Sequence, residues 1–204
     1  RVKCQSLLAH CFNELWCEAL NLRKKYDVTH FLMLHADVGP QTGDWVQVML
    51  REMALARVDV LSAVVPIKNE TGATSTALDL SGEHGRHRWA HRRLTMREVM
   101  RLPPTFTAKD AYDLCLPGWG HKRALLINTG LLLVDFRKPW VERFCFTVND
   151  EVIRREDGDF EAKSESEDWY MGRWLQQNGI PVAATRKVPL EHVGRGVFRN
   201  DGDL

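Results

Sequence analysis

The sequence predicts a single α/β domain over residues 1–204, with a mainly parallel central sheet flanked by helices. Two patterns point that way. Short apolar runs of strand length alternate with amphipathic segments of helical period, and the apolar runs end in polar residues, as strand ends facing a ligand crevice do. The composition agrees, since 44% hydrophobic and 27% charged residues suit one globular domain with a sizeable core. The formal net charge of +1 gives no global attraction to nucleic acid or anionic membrane, so such a partner must be met by a local cluster. The five cysteines, Cys4, Cys11, Cys17, Cys115 and Cys145, lack CxxC spacing and mostly lie in apolar segments, which predicts reduced thiols and an intracellular, cytoplasmic setting. No apolar run approaches the roughly 18 residues that span a bilayer, and no signal peptide opens the sequence, so a soluble, non-exported protein is expected.

The first segment, Ser6 to Tyr26, places Leu7, Leu8, Cys11, Leu15, Ala19 and Leu22 at helical spacing. A βα unit would put a strand before this helix, and that first strand is expected upstream or supplied otherwise. Phe31 to Leu34 is read as a buried strand, and Asp44 as the N-cap of a helix from Trp45 to Ala56. A strand from Val58 to Pro66 follows, then a polar Thr/Ser/Gly loop from Lys68 to Asp79. Thr95 and Glu98 have capping-box spacing for a short helix ending before Pro103-Pro104. Leu125 to Asp135 reads as a strand and turn interrupted by Asn128-Thr129-Gly130, Trp140 to Val152 as a helix, and Asp157 to Glu167 as a flexible acidic loop. The helix Trp169 to Asn178 is stopped by Gly179 and Pro181, and the extended segment Val182 to Leu190 delivers Glu191-His192 to a Gly-rich turn.

Chemistry-bearing residues thus fall at three segment ends: His35/Asp37, Glu167/Asp168 and His192. His35 and Asp37 are two apart on an extended segment and can face one ligand together. A divalent cation, Mn²⁺ or Mg²⁺, accepts mixed carboxylate and imidazole ligands and neutralises a diphosphate leaving group, a role that suits Asp37 and His192. Glu167 and Asp168 equally suit the N-terminus of a helix, where carboxylates cap and meet the dipole. Lys68, leaving the second strand, is placed to contact a phosphate.

The combination of an apolar strand ending in an acidic motif, a Gly-containing middle strand, a Glu-Asp pair opening a helix and a late His resembles the GT-A class of nucleotide-sugar glycosyltransferases, from about Leu7 to Val193. The resemblance implies a single GT-A-like, Rossmann-like domain. Its DxD motif maps onto His35-Ala36-Asp37, with His in place of the first Asp, so Asp37 would hold the metal and the donor diphosphate. Its xED motif maps onto Ser166-Glu167-Asp168, making Asp168, beside Glu167, the general base of an inverting reaction. His192 would be the late metal ligand, and Asn128, Thr129 and Gly130 would border the donor sugar or acceptor. The donor implied is a nucleotide sugar such as a UDP-sugar.

Arg86, Arg88, Arg92 and Arg93 surround Trp89 in the most concentrated positive stretch of the chain, and Trp119 lies in a second Gly-containing loop. Arginines meet phosphates and tryptophans stack on bases, which makes these six residues candidates for an acceptor or nucleic-acid site. A solvated basic loop, or arginines on the donor diphosphate, remains open. The acceptor favoured is a hydroxymethylated base in DNA, of the kind that bacteriophage enzymes modify in the host cytoplasm; it would have to leave the base stack to react. The alternatives are transfer to a glycan, lipid or protein, nucleotidyl transfer, or a nucleic-acid-binding module that has lost catalysis.

Overall fold

A computed structural model describes residues 7–82, 86–119, 123–194 and 196–200. In chain order its elements are α1 (Leu8–Tyr26), β1 (His30–Leu34), β2 (Val38–Pro40), α2 (Trp45–Ala56), β3 (Val60–Ala63), β4 (Ala73–Asp79), β5 (His91–Thr95), α3 (Met96–Arg101), β6 (Thr105–Thr107), α4 (Ala108–Cys115), β7 (Leu125–Leu126), β8 (Leu131–Asp135), a 3₁₀ turn (Pro139–Glu142), β9 (Asn149–Arg154), β10 (Phe160–Glu165), α5 (Glu167–Gln177), β11 (Val182–Thr185), β12 (Leu190–Val193) and β13 (Val197–Arg199). Four helices, α1, α2, α3 and α5, lie close to where the sequence places them. α1 turns Cys11, Phe12 and Trp16 inward, whereas of the expected stripe Leu7 and Leu8 are exposed and Leu15, Ala19 and Leu22 only half-buried; α2 buries Val48, Met49 and Met53, and α3 starts with the Thr95/Glu98 capping box. α4 is not among the expected helices, although Ala108, Ala111, Tyr112 and Cys115 have helical spacing, and it starts with a second capping box between Thr107 and Asp110.

The mainly parallel sheet of a Rossmann-like fold is not what these strands build. The largest sheet has five strands in the order β1-β8-β3-β11-β6, and only β3 and β11 run parallel. β8 is antiparallel to both β1 and β3, and β6 is antiparallel to β11. The other strands form three small antiparallel sheets, β10-β9, β13-β12-β2 and β5-β4-β7. The physical reason lies in what an apolar run reports. β3 and β8 are buried at every position, and continuous apolarity signals burial on both faces, whichever way the neighbouring strand runs.

Three local expectations change as well. Much of the polar Lys68–Asp79 segment is β4: Thr74 and Thr76 are fully buried, and Thr74 Oγ1 bonds the carbonyls of Thr76 and Leu94. Branched Thr side chains suit a pleated surface, and backbone carbonyls satisfy the Thr74 hydroxyl, whereas Thr76 Oγ1 is buried with no hydrogen-bond partner among the described residues. The expected helix from Trp140 to Val152 is a 3₁₀ turn started by Pro139, followed by irregular chain and then β9. The acidic loop Asp157–Glu167 is mostly β10, which pairs with β9 from Phe160↔Arg154 to Glu165↔Asn149 around a turn at Gly158 (φ +92°). Every position of the two strands except Glu165 is exposed or half-exposed, which accounts for their polar character.

Two apolar layers enclose the five-stranded sheet. On one side Trp16 is the hub, with the rings of Phe31, Phe136, Phe144 and Phe146 at 4.7–5.6 Å and its indole N–H donating to the Val141 carbonyl at 2.9 Å. On the other, Met49 and Met53 of α2 pack with Leu61, Leu131 and Leu133. The described cysteines are free, but only Cys11 is buried; Cys17 and Cys145 are exposed and Cys115 is half-buried, so their sequence surroundings overstated their burial. Cys4 lies outside the described residues. None of the described helices is long and apolar enough to cross a membrane.

Candidate active site

Asp37 and His192 are brought together by backbone pairing. β1 delivers the chain to a turn at His35–Asp37, in which Val38 N–H bonds the His35 carbonyl at 3.1 Å. β2 then pairs antiparallel with β12 in a register that opposes Val38 and His192. Val193 N–H closes the arrangement on the Asp37 carbonyl at 2.8 Å. His192 Nε2 lies 3.6 Å from Asp37 Oδ2, while His192 Nδ1 meets the Pro66 carbonyl at 2.7 Å. A carbonyl only accepts, so Nδ1 carries the donated proton and Nε2 is the nitrogen left for a ligand, an arrangement common in metal-binding histidines.

Lys68, just past β3, forms an ion pair with Asp37 Oδ2. Its stem runs over Gly194, where an added Cβ would stand 2.8 Å from Lys68 Cδ. Burial works against ionisation of Asp37, but the Lys68 ammonium and His192 together hold its carboxyl below the usual range. His35 turns elsewhere. Its Nε2 bonds Thr129 Oγ1 at 3.2 Å, its ring lies 5.1 Å from that of Phe12, and burial is the main force depressing its pKa.

Among the described residues, no three His, Cys, Asp or Glu side chains gather as a metal-ligand set. Asp37 Oδ2 and His192 Nε2 nevertheless fit two positions of one cation, since ligand bonds of about 2.1 Å each allow two donors 3.6 Å apart. His35, engaged with Thr129, is not arranged as a third.

Asn128, Thr129 and Gly130 lie beneath this cluster. Asn128 and Thr129 are buried, and Asn128 stitches β3 to the turn: its Nδ2 donates to the Ala63 carbonyl and its Oδ1 accepts from Gly130 N–H. A Cβ at Gly130 would come within 3.1–3.3 Å of Asn128, Val38 and Val65, so glycine permits the close packing that seats β2. These residues shape the floor of the site.

Glu167 and Asp168 open α5, and Glu167 is buried. Asp168 Oδ1 accepts from Trp169 N–H at 2.7 Å and from the Ser166 hydroxyl. Burial above all pushes Asp168 up to about 6; Glu167 adds to the rise, while Ser166, Trp169 N–H and Arg93 oppose it. A short relay joins this pair to the Asp37 cluster. Pro66, gripped by His192, bridges to Thr74, whose carbonyl accepts from Arg93 at 3.1 Å. Next to it, the Ser75 carbonyl accepts from the Trp169 indole at 3.1 Å.

The six basic and aromatic candidates separate into two groups. Arg92 is ion-paired with Glu98 and Arg93 lies over the Trp169 ring at 4.6 Å, both on β5. Arg86 lies over Trp119 at 5.6 Å and Arg88 over Trp89 at 4.7 Å, on segments that leave the sheet. Arg123, which sequence reading passed over, joins Trp119 at 5.5 Å. A buried Arg173 clamped by Asp79 and Glu165 was also passed over, because nothing in the local sequence marks a pairing between a helix and two distant strand ends.

No protein-family model matches the chain, and no curated protein matches it.

Proposed function

We propose that the protein transfers a sugar from a nucleoside-diphosphate sugar to a hydroxyl acceptor with inversion at the anomeric carbon. The observation that carries this reading is the meeting of Asp37, Lys68 and His192, from three separate segments, at one point on the protein. A carboxylate, an ammonium and an imidazole nitrogen in that arrangement suit a diphosphate. Asp37 and His192 would hold a divalent cation, which when bound neutralises the charge growing on the departing nucleoside diphosphate. Lys68 is placed to meet a phosphate oxygen directly. Asp168 is the candidate base. It accepts the proton of the acceptor hydroxyl as that oxygen bonds the anomeric carbon and the bond from that carbon to the diphosphate oxygen breaks. A carboxylate poised at about 6 is largely ionised at neutral pH and more basic than an ordinary one.

The favoured acceptor is a hydroxymethylated base in DNA, supported by the arginine-on-tryptophan pairs at Arg86/Trp119 and Arg88/Trp89. The test is incubation with UDP- or GDP-sugar, Mn²⁺ and hydroxymethylcytosine DNA, reading released nucleoside diphosphate together with the mass of the modified nucleoside. Release of nucleoside diphosphate with a hexose mass gain on the base is expected. Release of pyrophosphate would point to nucleotidyl transfer, and transfer to a glycan, lipid or protein hydroxyl alone would replace the acceptor.

A further inference from the structure

A cavity of about 540 Å³ opens between α5 and the segments at residues 79–82, 88–89 and 123–124, and none of Asp37, Lys68 or His192 lines it. Its chemistry is graded from floor to mouth. At the floor, Arg173 is buried and clamped between Asp79 and Glu165, so its charge is already matched. The walls include Tyr170 and Trp174, four residues apart on α5 and backed by the Phe144 ring at 6.3 and 5.2 Å. At the mouth are Arg88, 65% exposed, lying on Trp89 and ion-paired with Glu151 at 3.1 Å, and Arg123, whose guanidinium also faces Trp119 and donates to the Ser81 carbonyl at 2.8 Å. The buried clamp on Arg173 gives a bare phosphate little reason to sit deep, whereas aromatic walls accept a flat, uncharged ring and the exposed Arg88–Glu151 pair is weak enough for a phosphate to replace. The volume lies within the range of small-ligand pockets.

We propose that this cavity binds one nucleotide unit of a nucleic-acid strand, base inward and phosphate at Arg88 and Arg123, as a positioning site separate from the reacting one. The choice of a strand over other phosphate compounds rests on the DNA-acceptor reading above. Asp168 and Tyr170 are about 200° apart around the helix, so the nucleotide held here is not the one that reacts. Arg92 and Arg93, tied to Glu98 and to Trp169, do not belong to this track.

The experiment uses the full chain and a fluorescein-labelled 12-nucleotide single strand, followed by anisotropy across a salt series. Arg88→Ala with Arg123→Ala is expected to weaken binding at least ~10-fold and to flatten the log–log salt slope by about 1.4, two single-strand phosphate contacts at ~0.7 each. Arg137→Ala, remote from the cavity, should leave both unchanged. Wild-type protein is also photo-crosslinked to an iododeoxyuridine-containing strand, which needs no variant to fold. Adducts on Trp89, Tyr170 or Trp174 support the site. Adducts only elsewhere, an unchanged affinity in a folded double variant, or equal affinity for a mononucleotide would overturn it. Sugar transfer to the DNA is scored in parallel. Adducts in the cavity without transfer would uphold this site and defeat the acceptor reading, and transfer with adducts only elsewhere would do the reverse.

Discussion

The Nε2 of His192 stands 3.6 Å from Oδ2 of Asp37, and its partner nitrogen is fixed on the Pro66 carbonyl. The pairing of β2 with β12 sets this distance through the backbone, so substituting either side chain should change chemistry while leaving the fold. Asp37→Ala is expected to lower nucleotide-sugar turnover by ~10²-fold or more and to abolish any Mn²⁺-dependent thermal shift. His192→Ala should cost ~10–100-fold in metal affinity. Melting curves with UDP and Mn²⁺ check both; a full Mn²⁺ shift in Asp37→Ala would remove Asp37 from the site.

Lys68 shares Oδ2 of Asp37 with any cation bound there. Lys68→Ala is therefore expected to tighten Mn²⁺ binding without nucleotide and to weaken binding of the nucleotide diphosphate. Gly194→Ala, by pressing on the Lys68 stem, should move both in the same directions by less. Titration calorimetry with Mn²⁺ alone and with UDP checks the opposed signs.

Asp168 gives a pH prediction with a definite sign. Its folded pKa, pushed up to about 6, lies above the ordinary aspartate value. Transfer needs the ionised form, so kcat/KM should fall below about pH 6, and Asp168→Asn should lower it by ~10²–10⁴-fold at neutral pH. Stability runs the other way. The ionised carboxylate is penalised in the folded state above both pKa values and carries no penalty below both. Asp168→Asn should thus raise stability at pH 8 by on the order of 2 kcal/mol and have little effect near pH 3. Chemical denaturation at the two pH values measures it.

Gly172 seats α5 on β7. A Cβ there would meet the Leu125 carbonyl oxygen at 2.8 Å and Leu126 Cα at 3.1 Å, and neither backbone group can swing aside. Gly172→Ala should destabilise by about 1–3 kcal/mol through overpacking despite its better helix propensity. A thermal melt shows the sign.

The sequence was most readable where one residue's neighbours along the chain decide its structure. The helical span Leu8–Tyr26, the Thr95/Glu98 capping box and the polar end of the His30–Leu34 run are of that kind. It was least readable where distant pairing decides. Thr74 and Thr76 look like loop residues until β5 supplies Leu94, and Phe160 looks like part of an acidic loop until Arg154 opposes it. Direction in the central sheet was hidden for the same reason, because Leu131–Asp135 would be as apolar beside parallel neighbours as beside antiparallel ones. At the candidate site, Asp37, Asp168 and His192 could be picked out individually. The Lys68–Asp37 pair and the Arg173 clamp could not, because each is a fact of tertiary contact alone.

The isolated bridge between Pro66 and Thr74 carries a mechanical consequence. His192 holds one side of it, and Arg93 and the Trp169 indole hold Thr74 and its neighbour Ser75 on the other. The bridge is a single joint between two lever arms. A displacement of Pro66 is passed to the strand that the Trp169 indole, at the start of α5, is bonded to, so the Asp37–His192 pair and Asp168 rest on one shared support.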